Sequence, residues 1–337
     1  MSLKTLLLNP SEFQMYYNCS TYDVDSIPKE QRRHIWQGIS FICLGIFLET
    51  CYLPCLYVIC RRSMVSQACY RLMLYMGVIN VSVIFLTCIM GGPVLIEGAV
   101  FCNRPILTYT AGIIGLGMWY AESLTTLILA VNRCMMLYKP NLADRLFNSR
   151  HSTTLWLALP TSISLIFSWN SPPLIFNSMS ASSFANPHLH YLPDNQYYHS
   201  PIHKYYNYFI VCALISTYIV FGLLFHWKFH GSALQRSSRR DFGTFVQVLI
   251  TCTLACITAI GYIIQQTFPD FKPLVMSSTY GYVFYQGSPS IIYLCMNKSI
   301  RQAVLGRYNR VNGKSSFFNK TARQSIVNTI SNRETLK

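Results

Sequence analysis

The sequence predicts an all-α membrane protein: a bundle of seven transmembrane helices with its N-terminus outside and a short amphipathic eighth helix on the inner side. Three observations carry this. Only 12% of the 337 residues are Asp, Glu, Lys or Arg while 52% are hydrophobic, against about 25% charged in a typical soluble domain. The charges that remain flank seven long runs almost free of them, and the Lys and Arg residues gather on alternate loops. This composition excludes a water-soluble enzyme and a disordered chain, and the 17 Gly and 15 Pro, scattered without period, exclude a collagen-like one.

A helix crossing a hydrocarbon core of about 30 Å needs roughly 20 residues at about 1.5 Å each. The 27 residues between Arg33 and Arg61 hold one charge, Glu49, and the 25 between Arg71 and Glu97 hold none. Between Arg104 and Arg133 lie 28 residues interrupted only by Glu122. From Arg150 to Asp194 the chain is uncharged for 43 residues; the apolar part, 153–176, is expected as one helix and the rest as loop. Runs of 23, 28 and 25 residues follow, between Lys204 and Lys228, Asp241 and Asp270, and Lys272 and Lys298. The expected organisation is an extracellular arm over 1–35, the bundle over 36–296, and a cytoplasmic amphipathic helix with a flexible tail over 297–337.

An odd number of spans puts the two ends of the chain on opposite sides. With the N-terminus outside, 20 of the 27 Lys and Arg fall on inner segments and 7 on outer ones, as the positive-inside rule requires. Lys29, Arg32 and Arg33, just before span one, pull weakly the other way. Leu6-Leu7-Leu8 is too short for the apolar region of a cleavable signal, so span one is expected to direct its own insertion. The net charge of +15 lies in loops beside spans. It therefore reads as a face against anionic lipid and not as a nucleic-acid site. No internal repeat is evident, which argues against a transporter.

Most of the 13 Cys lie in spans and read as small packing residues. In this topology only Cys19 and Cys102 face the oxidising side, which makes them a candidate disulfide. Asn18-Cys19-Ser20 is a glycosylation sequon on the same side. His188, His190, His199 and His203 fall in the loop after span four; with Pro187, Pro193 and Pro201 among them they share no scaffold, so a solvated polar loop is expected and no metal site.

Ionisable groups at membrane depth are costly and mark candidate sites. Counted at 1.5 Å per residue from the inner edge of each span, Glu49 stands about 18 Å up, Glu122 about 16 Å, Asn80 about 14 Å and Ser288 about 15 Å. These four are expected to form a midplane polar cluster coupling helix rearrangement to a proton or cation. The plainer alternative is interhelical hydrogen bonding. Higher up, Gly115 and Trp119 share the helix face of Arg133, and spans five to seven offer Tyr208, Tyr262, Gln265, Gln266, Tyr280 and Phe284. An aromatic cavity with few polar groups suits a small, largely apolar ligand. The outer half of span three holds no carboxylate, so a cationic amine lacks an obvious counter-ion.

Seven spans, an outer N-terminus, and Asn132-Arg133-Cys134 at the end of span three resemble a G-protein-coupled receptor. Leu72-Met-Leu-Tyr-Met-Gly-Val-Ile-Asn80, Gly98-Ala-Val-Phe-Cys102, Gly112-Ile-Ile-Gly-Leu-Gly-Met-Trp119 and Leu129-Ala-Val-Asn-Arg-Cys134 resemble, more specifically, the class T serpentine chemoreceptors (Srt type) of nematodes. Gly287-Ser-Pro-Ser-Ile-Ile-Tyr293 and Asn297-Lys-Ser-Ile-Arg301 are similar to that family's end of span seven, and the likeness covers about residues 19–301. There are departures. Of the acid-Arg-aromatic triplet typical of the superfamily only Arg133 is kept, Asn80 stands where relatives often carry Asp, and Pro289 and Tyr293 are four apart where the general receptor motif has three. The loop before span five lacks the Cys that usually bridges to span three, which strengthens the case for Cys19–Cys102.

The resemblance implies a chemosensory, olfactory-type receptor in the plasma membrane that signals through a heterotrimeric G protein, with no cofactor and no enzymatic activity. Asn132, Arg133, Tyr293, the basic inner loops and residues 297–305 would form the coupling face, with Ile300, Val304 and Leu305 on the apolar side of the short helix. Ser237, Ser238 and the Ser and Thr residues of the tail are weak phosphorylation candidates. An inverted odorant-gated channel would need the opposite charge bias, and a transporter would show repeats. An intramembrane enzyme would need facing His, Asp, Ser or Cys at one depth, and the spans hold no Asp. A retinal pigment would need a Lys within span seven, which Lys272 and Lys298 only flank.

Overall fold

The computed structural model describes residues 3–20, 23–190, 198–230 and 235–306. Its seven long helices are α1 (Ile35–Ile59), α2 (Ala68–Glu97), α3 (Pro105–Tyr138), α4 (Arg150–Asn170), α5 (Pro201–His230), α6 (Gln235–Thr267) and α7 (Lys272–Met296), followed by the short α8 (Lys298–Val304). Proline opens α3 and α5 at the first helical position, where its fixed φ is pre-set for the helix and its missing N–H costs nothing. Ser149 caps α4 by accepting a bond from the Ser152 N–H, and Asn297 caps α8 through Ile300. Most of the tail, with its candidate phosphorylation sites, lies outside the described residues.

The helices close into a ring, α1 against α2 and α7, α6 between α5 and α7, with α3 running through the middle against α2, α4 and α5. Among the described residues five helices are long and apolar enough to cross a membrane on composition alone; α4 and α7 are not among them. The reason is where they pack. Helix α7 is enclosed by α1, α2 and α6, so Ser278, Thr279, Gln286, Ser288 and Ser290 are buried in protein instead of meeting lipid. Helix α4 turns Ser164 and Ser168 onto α3, where Ser164 Oγ donates to the Gly117 carbonyl at 2.6 Å. This span ends at Asn170, short of the 153–176 expected, because Ile175 and Phe176 belong to a strand.

Helix α2 is not uniform. Its inner part, Ala68–Ile84, packs on α1 and α3, then the chain widens into a π turn over Phe85–Met90 and continues as Gly91–Glu97. The outer part leans on α1. A Cβ on Gly38 would come 2.6 Å from the Gly92 carbonyl oxygen, and one on Gly92 would come 2.5 Å from Ile42. With no hydrophobic force between helices in lipid, such close approach of small residues is what holds the pair.

A feature unforeseen in the sequence caps the bundle. The segment after α4 folds into an antiparallel hairpin, β1 (Ile175–Asn177) with β2 (Ser182–Phe184), in register Ile175 to Phe184 and Asn177 to Ser182. Asn177 Oδ1 accepts the Met179 N–H at 3.0 Å to close the turn, and Ala181 takes a positive φ of 51°. The hairpin enters the bundle mouth: Thr279 donates to Ser182 Oγ at 2.7 Å, and Gln265 Nε2 donates to the Ser183 carbonyl at 2.9 Å. This loop is therefore not the solvated one expected, since His188 and Ser182 are buried. The N-terminal arm completes the cap. Cys19 and Cys102 are bonded, with Cα atoms 5.4 Å apart, and Tyr17, Phe101, Tyr109, Ile175 and Tyr198 form a closed apolar cluster beside them.

Candidate functional site

Beneath the cap lies a cavity of about 340 Å³. One stripe of α3 forms a wall, Leu107, Ala111, Gly115 and Trp119, at the spacing of a single helix face. The opposite wall is the π-turn region of α2, with Leu86, Thr87, Met90 and Val94; Phe176 and Ser183 of the hairpin form the lid, and His203, Tyr262 and Tyr282 close the far side. The residues Gly115, Trp119 and Tyr262 expected from sequence all line it. Gly115 is the open point of the wall, since a Cβ there would meet nothing within 4 Å.

The floor is held by a polar relay. Trp119 Nε1 donates to Asn207 Oδ1 at 3.0 Å, and Asn207 Nδ2 lies 3.2 Å from His203 Nε2. The indole also meets Tyr282 and Tyr285 edge-on, with ring centres 5.9 and 6.0 Å away. His203 is 2% exposed, and its Nδ1 makes no hydrogen bond while its ring lines the cavity. It was expected in a solvated loop; Pro201 instead starts α5 and carries His203 inward on the first turn.

Four other expected residues stand elsewhere. Tyr208 and Phe284 are 44% and 49% exposed on the outside of the bundle. The 100° helical step explains it, because Asn207 faces inward beside Tyr208, and Tyr282 and Tyr285 do so around Phe284. Tyr280 sits at the α1–α7 seam, 2.5 Å from Ser40 Oγ and edge-on to Phe41. Gln266 lines a second, outer cleft of about 370 Å³ that shares Leu174, Ser183 and Tyr262 with the first. Gln265, not Gln266, holds the hairpin.

One turn below Trp119, Glu122 is fully buried and accepts a 2.7 Å bond from Gln286 Nε2 of α7. Beside it the Tyr285 hydroxyl is 3.0 Å from Thr126 Oγ1. Asn80 Nδ2 donates to the Tyr52 hydroxyl at 2.9 Å, tying α2 to α1. The hydrogen bonds thus join Glu122 and Asn80 to Gln286 and Tyr52, partners the sequence reading missed. Ser288 bonds its own helix at the Tyr285 carbonyl, and Glu49 lies apart from these bonds, partly exposed, where α1 meets the π turn near Cys88.

At the inner end a small cavity of about 40 Å³ is lined by Arg133, Thr126, Met76, Tyr293, Gln247 and Thr251. Asn132 is buried beside it in sequence, 4% exposed. At the inner end of α2, Arg71 donates to Thr153 Oγ1 at 2.6 Å and to the Val65 and Ser66 carbonyls. Arg301 bonds the Cys295 carbonyl. In α8, Ile300 and Ala303 are buried against the bundle, whereas Leu305, just past its end, is 63% exposed.

Outside the membrane, burial holds the His188 imidazole below its ordinary 6.5; it stacks edge-on to Phe101 and Tyr198. Burial likewise lowers His190, opposed by the Asp270 carboxylate 3.5 Å away and reinforced by Lys272. Asn18 is exposed at the arm surface, its Oδ1 accepting the Ser20 N–H.

A seven-helix bundle, capped on one side over an apolar cavity, is the architecture of a serpentine membrane protein. The sequence model described as serpentine type 7TM GPCR chemoreceptor Srt matches residues 1–314, and the chain belongs to that family. It is 25% identical over 318 residues to serpentine receptor class T-55 of Caenorhabditis elegans, covering 90% of this chain and 86% of the relative. The protein is accordingly a multi-pass membrane protein of a chemosensory receptor family, not of an enzyme family.

Proposed function

We propose that the protein sits in the plasma membrane as a chemosensory receptor, binds a small, largely apolar molecule in the cavity above Trp119, and signals through a heterotrimeric G protein. The observation that carries this reading is the cavity itself, covered from above by the hairpin, lined mainly by aliphatic and aromatic side chains, and offering a few polar groups that converge at one end. Ligand on Trp119 would press on Tyr282 and Tyr285, which flank the Glu122–Gln286 bond between α3 and α7. Rearrangement there would reach Arg133 and Tyr293, which line the inner opening together with Asn132 nearby, and the basic loops would receive the G protein.

The test is a response screen of small apolar molecules on cells expressing the chain. Gly115→Phe fills the cavity at a point with room for it and is expected to abolish any response without lowering surface expression. Tyr208→Ala, on the outer surface, is expected to leave the response intact. A response that survives Gly115→Phe unchanged would place ligand recognition elsewhere.

A further inference from the structure

Among the described residues the cavity has a cover on its water side and none along one flank. From the π turn onward, α2 packs on α1 through Gly38 and Gly92 and turns away from α3, so the outer halves of α2 and α3 are parted. The two cavity walls run along this parting. Pro93 on one lip and Leu107 on the other both line the cavity and are exposed, Leu107 by 48%. On either side the bundle surface is apolar: Phe85 and Val78 on α2, Ile106 and Ile114 on α3, 44–76% exposed. A polar rim stands just above, where Arg104 meets Glu97 at 3.1 Å, each about half exposed. Charged pairs of this kind sit at the headgroup level and exposed aliphatic side chains sit below it.

We infer that the ligand reaches the cavity sideways from the outer leaflet, through the gap between α2 and α3 beneath the Arg104–Glu97 pair, and is therefore a bilayer-partitioning amphiphile. This rests on the cavity being the ligand site. Its apolar part lies along Leu86, Met90 and Ala111, and its polar head reaches His203, whose Nδ1 is the unpartnered buried group at the far end. A molecule arriving from water would have to pass the hairpin, which Thr279 and Gln265 hold in the mouth, or enter from the outer cleft across Leu174 and Tyr262.

Photolabelling of the full chain in phosphatidylcholine vesicles tests this. Two probes are compared, a hexadecyl diazirine confined to the bilayer and a sulfonated aryl diazirine confined to water, with labelled residues mapped by mass spectrometry. The inference expects the bilayer probe to label inner-wall residues such as Thr87, Gly112 and Trp119, and expects Ala111→Trp to remove that labelling while lipid-facing Ile114 stays labelled. Inner-wall labelling by the water probe alone overturns the lateral route and leaves the cavity as ligand site. Inner walls unlabelled by both probes overturn the route and the cavity reading together. The wild-type comparison decides between these results even where the Trp variant fails to fold.

Discussion

Replacing Gln286 by Met removes a hydrogen bond that Glu122 accepts across the α3–α7 contact. Both side chains are completely buried and the bond is 2.7 Å long, so the Glu122 carboxyl loses this donor, keeps the Tyr285 hydroxyl, and has no water to replace what is lost. Leaving a buried acceptor unsatisfied costs about 1–3 kcal/mol. In a protein of this size or somewhat smaller, 1 kcal/mol moves the melting point by about 2–4 °C, and the lower end applies here, giving a fall of roughly 2–6 °C. Glu122→Met alone takes away the carboxylate that Gln286 donates to, leaving its amide with Tyr282, and is expected to cost a comparable amount. The double variant puts two apolar side chains in contact and should recover most of the loss, since exchanging both partners is nearly neutral. The assay is thermal unfolding in detergent followed by a thiol-reactive dye, which reads exposure of the buried Cys55, Cys88 and Cys252. A Gln286→Met protein as stable as wild type, or a double variant that loses the sum of the two singles, would refute the coupling.

Three further outcomes follow from the cap. Cys19→Ser and Cys102→Ser should destabilise equally, and the double variant no further, because one bond is lost in each case; closing 83 residues is worth at most about 4–5 kcal/mol in a free chain, and inserted spans already restrict this one. Unequal single variants would break the pairing. Acidification should loosen the cap: His188 and His190 titrate below 6.5 when folded, so below about pH 6.5 the unfolded cap binds more protons and stability present above that pH is lost. Hydrogen exchange in residues 173–190 measures it, and His188→Phe should flatten the dependence. Glycosidase treatment should shift the mobility of the wild-type chain but not of Asn18→Gln, as an outer N-terminus requires; modification at Asn319 instead would invert the topology.

Charge spacing made the seven spans legible, because a long uncharged run has few other uses in a chain with this composition. Helical phase was legible in α3, where Gly115, Trp119 and Glu122 recur with Arg133 on one face. In α5 and α7 the same phase turns Tyr208 and Phe284 outward, since one residue away Asn207, Val283 and Tyr285 are the buried ones. The α2 wall was invisible for another reason. Leu86, Met90 and Val94 are apolar residues on an apolar helix, and nothing in their identity separates cavity from lipid. Gly91-Gly92-Pro93 was the available signal of an altered helix there. The hairpin escaped because Asn177 to Ser183 is a run of small, mostly polar residues without alternating hydrophobicity; its strands are held by side chains of α6 and α7 that only the fold brings near. Gln286 and Tyr52 are not legible from depth along a span, because a partner is fixed only when two helices face each other.

The measurement closest to the central claim is guanine-nucleotide exchange on purified heterotrimeric G proteins, in membranes carrying the full chain and an activating small molecule from the response screen. The account predicts ligand-stimulated exchange in wild type, its loss in Gly115→Phe through lost binding, and its loss in Arg133→Ala with binding retained. Full stimulation by Arg133→Ala would contradict the role given to the inner face. A ligand-gated current with no exchange on any G protein would contradict the receptor reading itself.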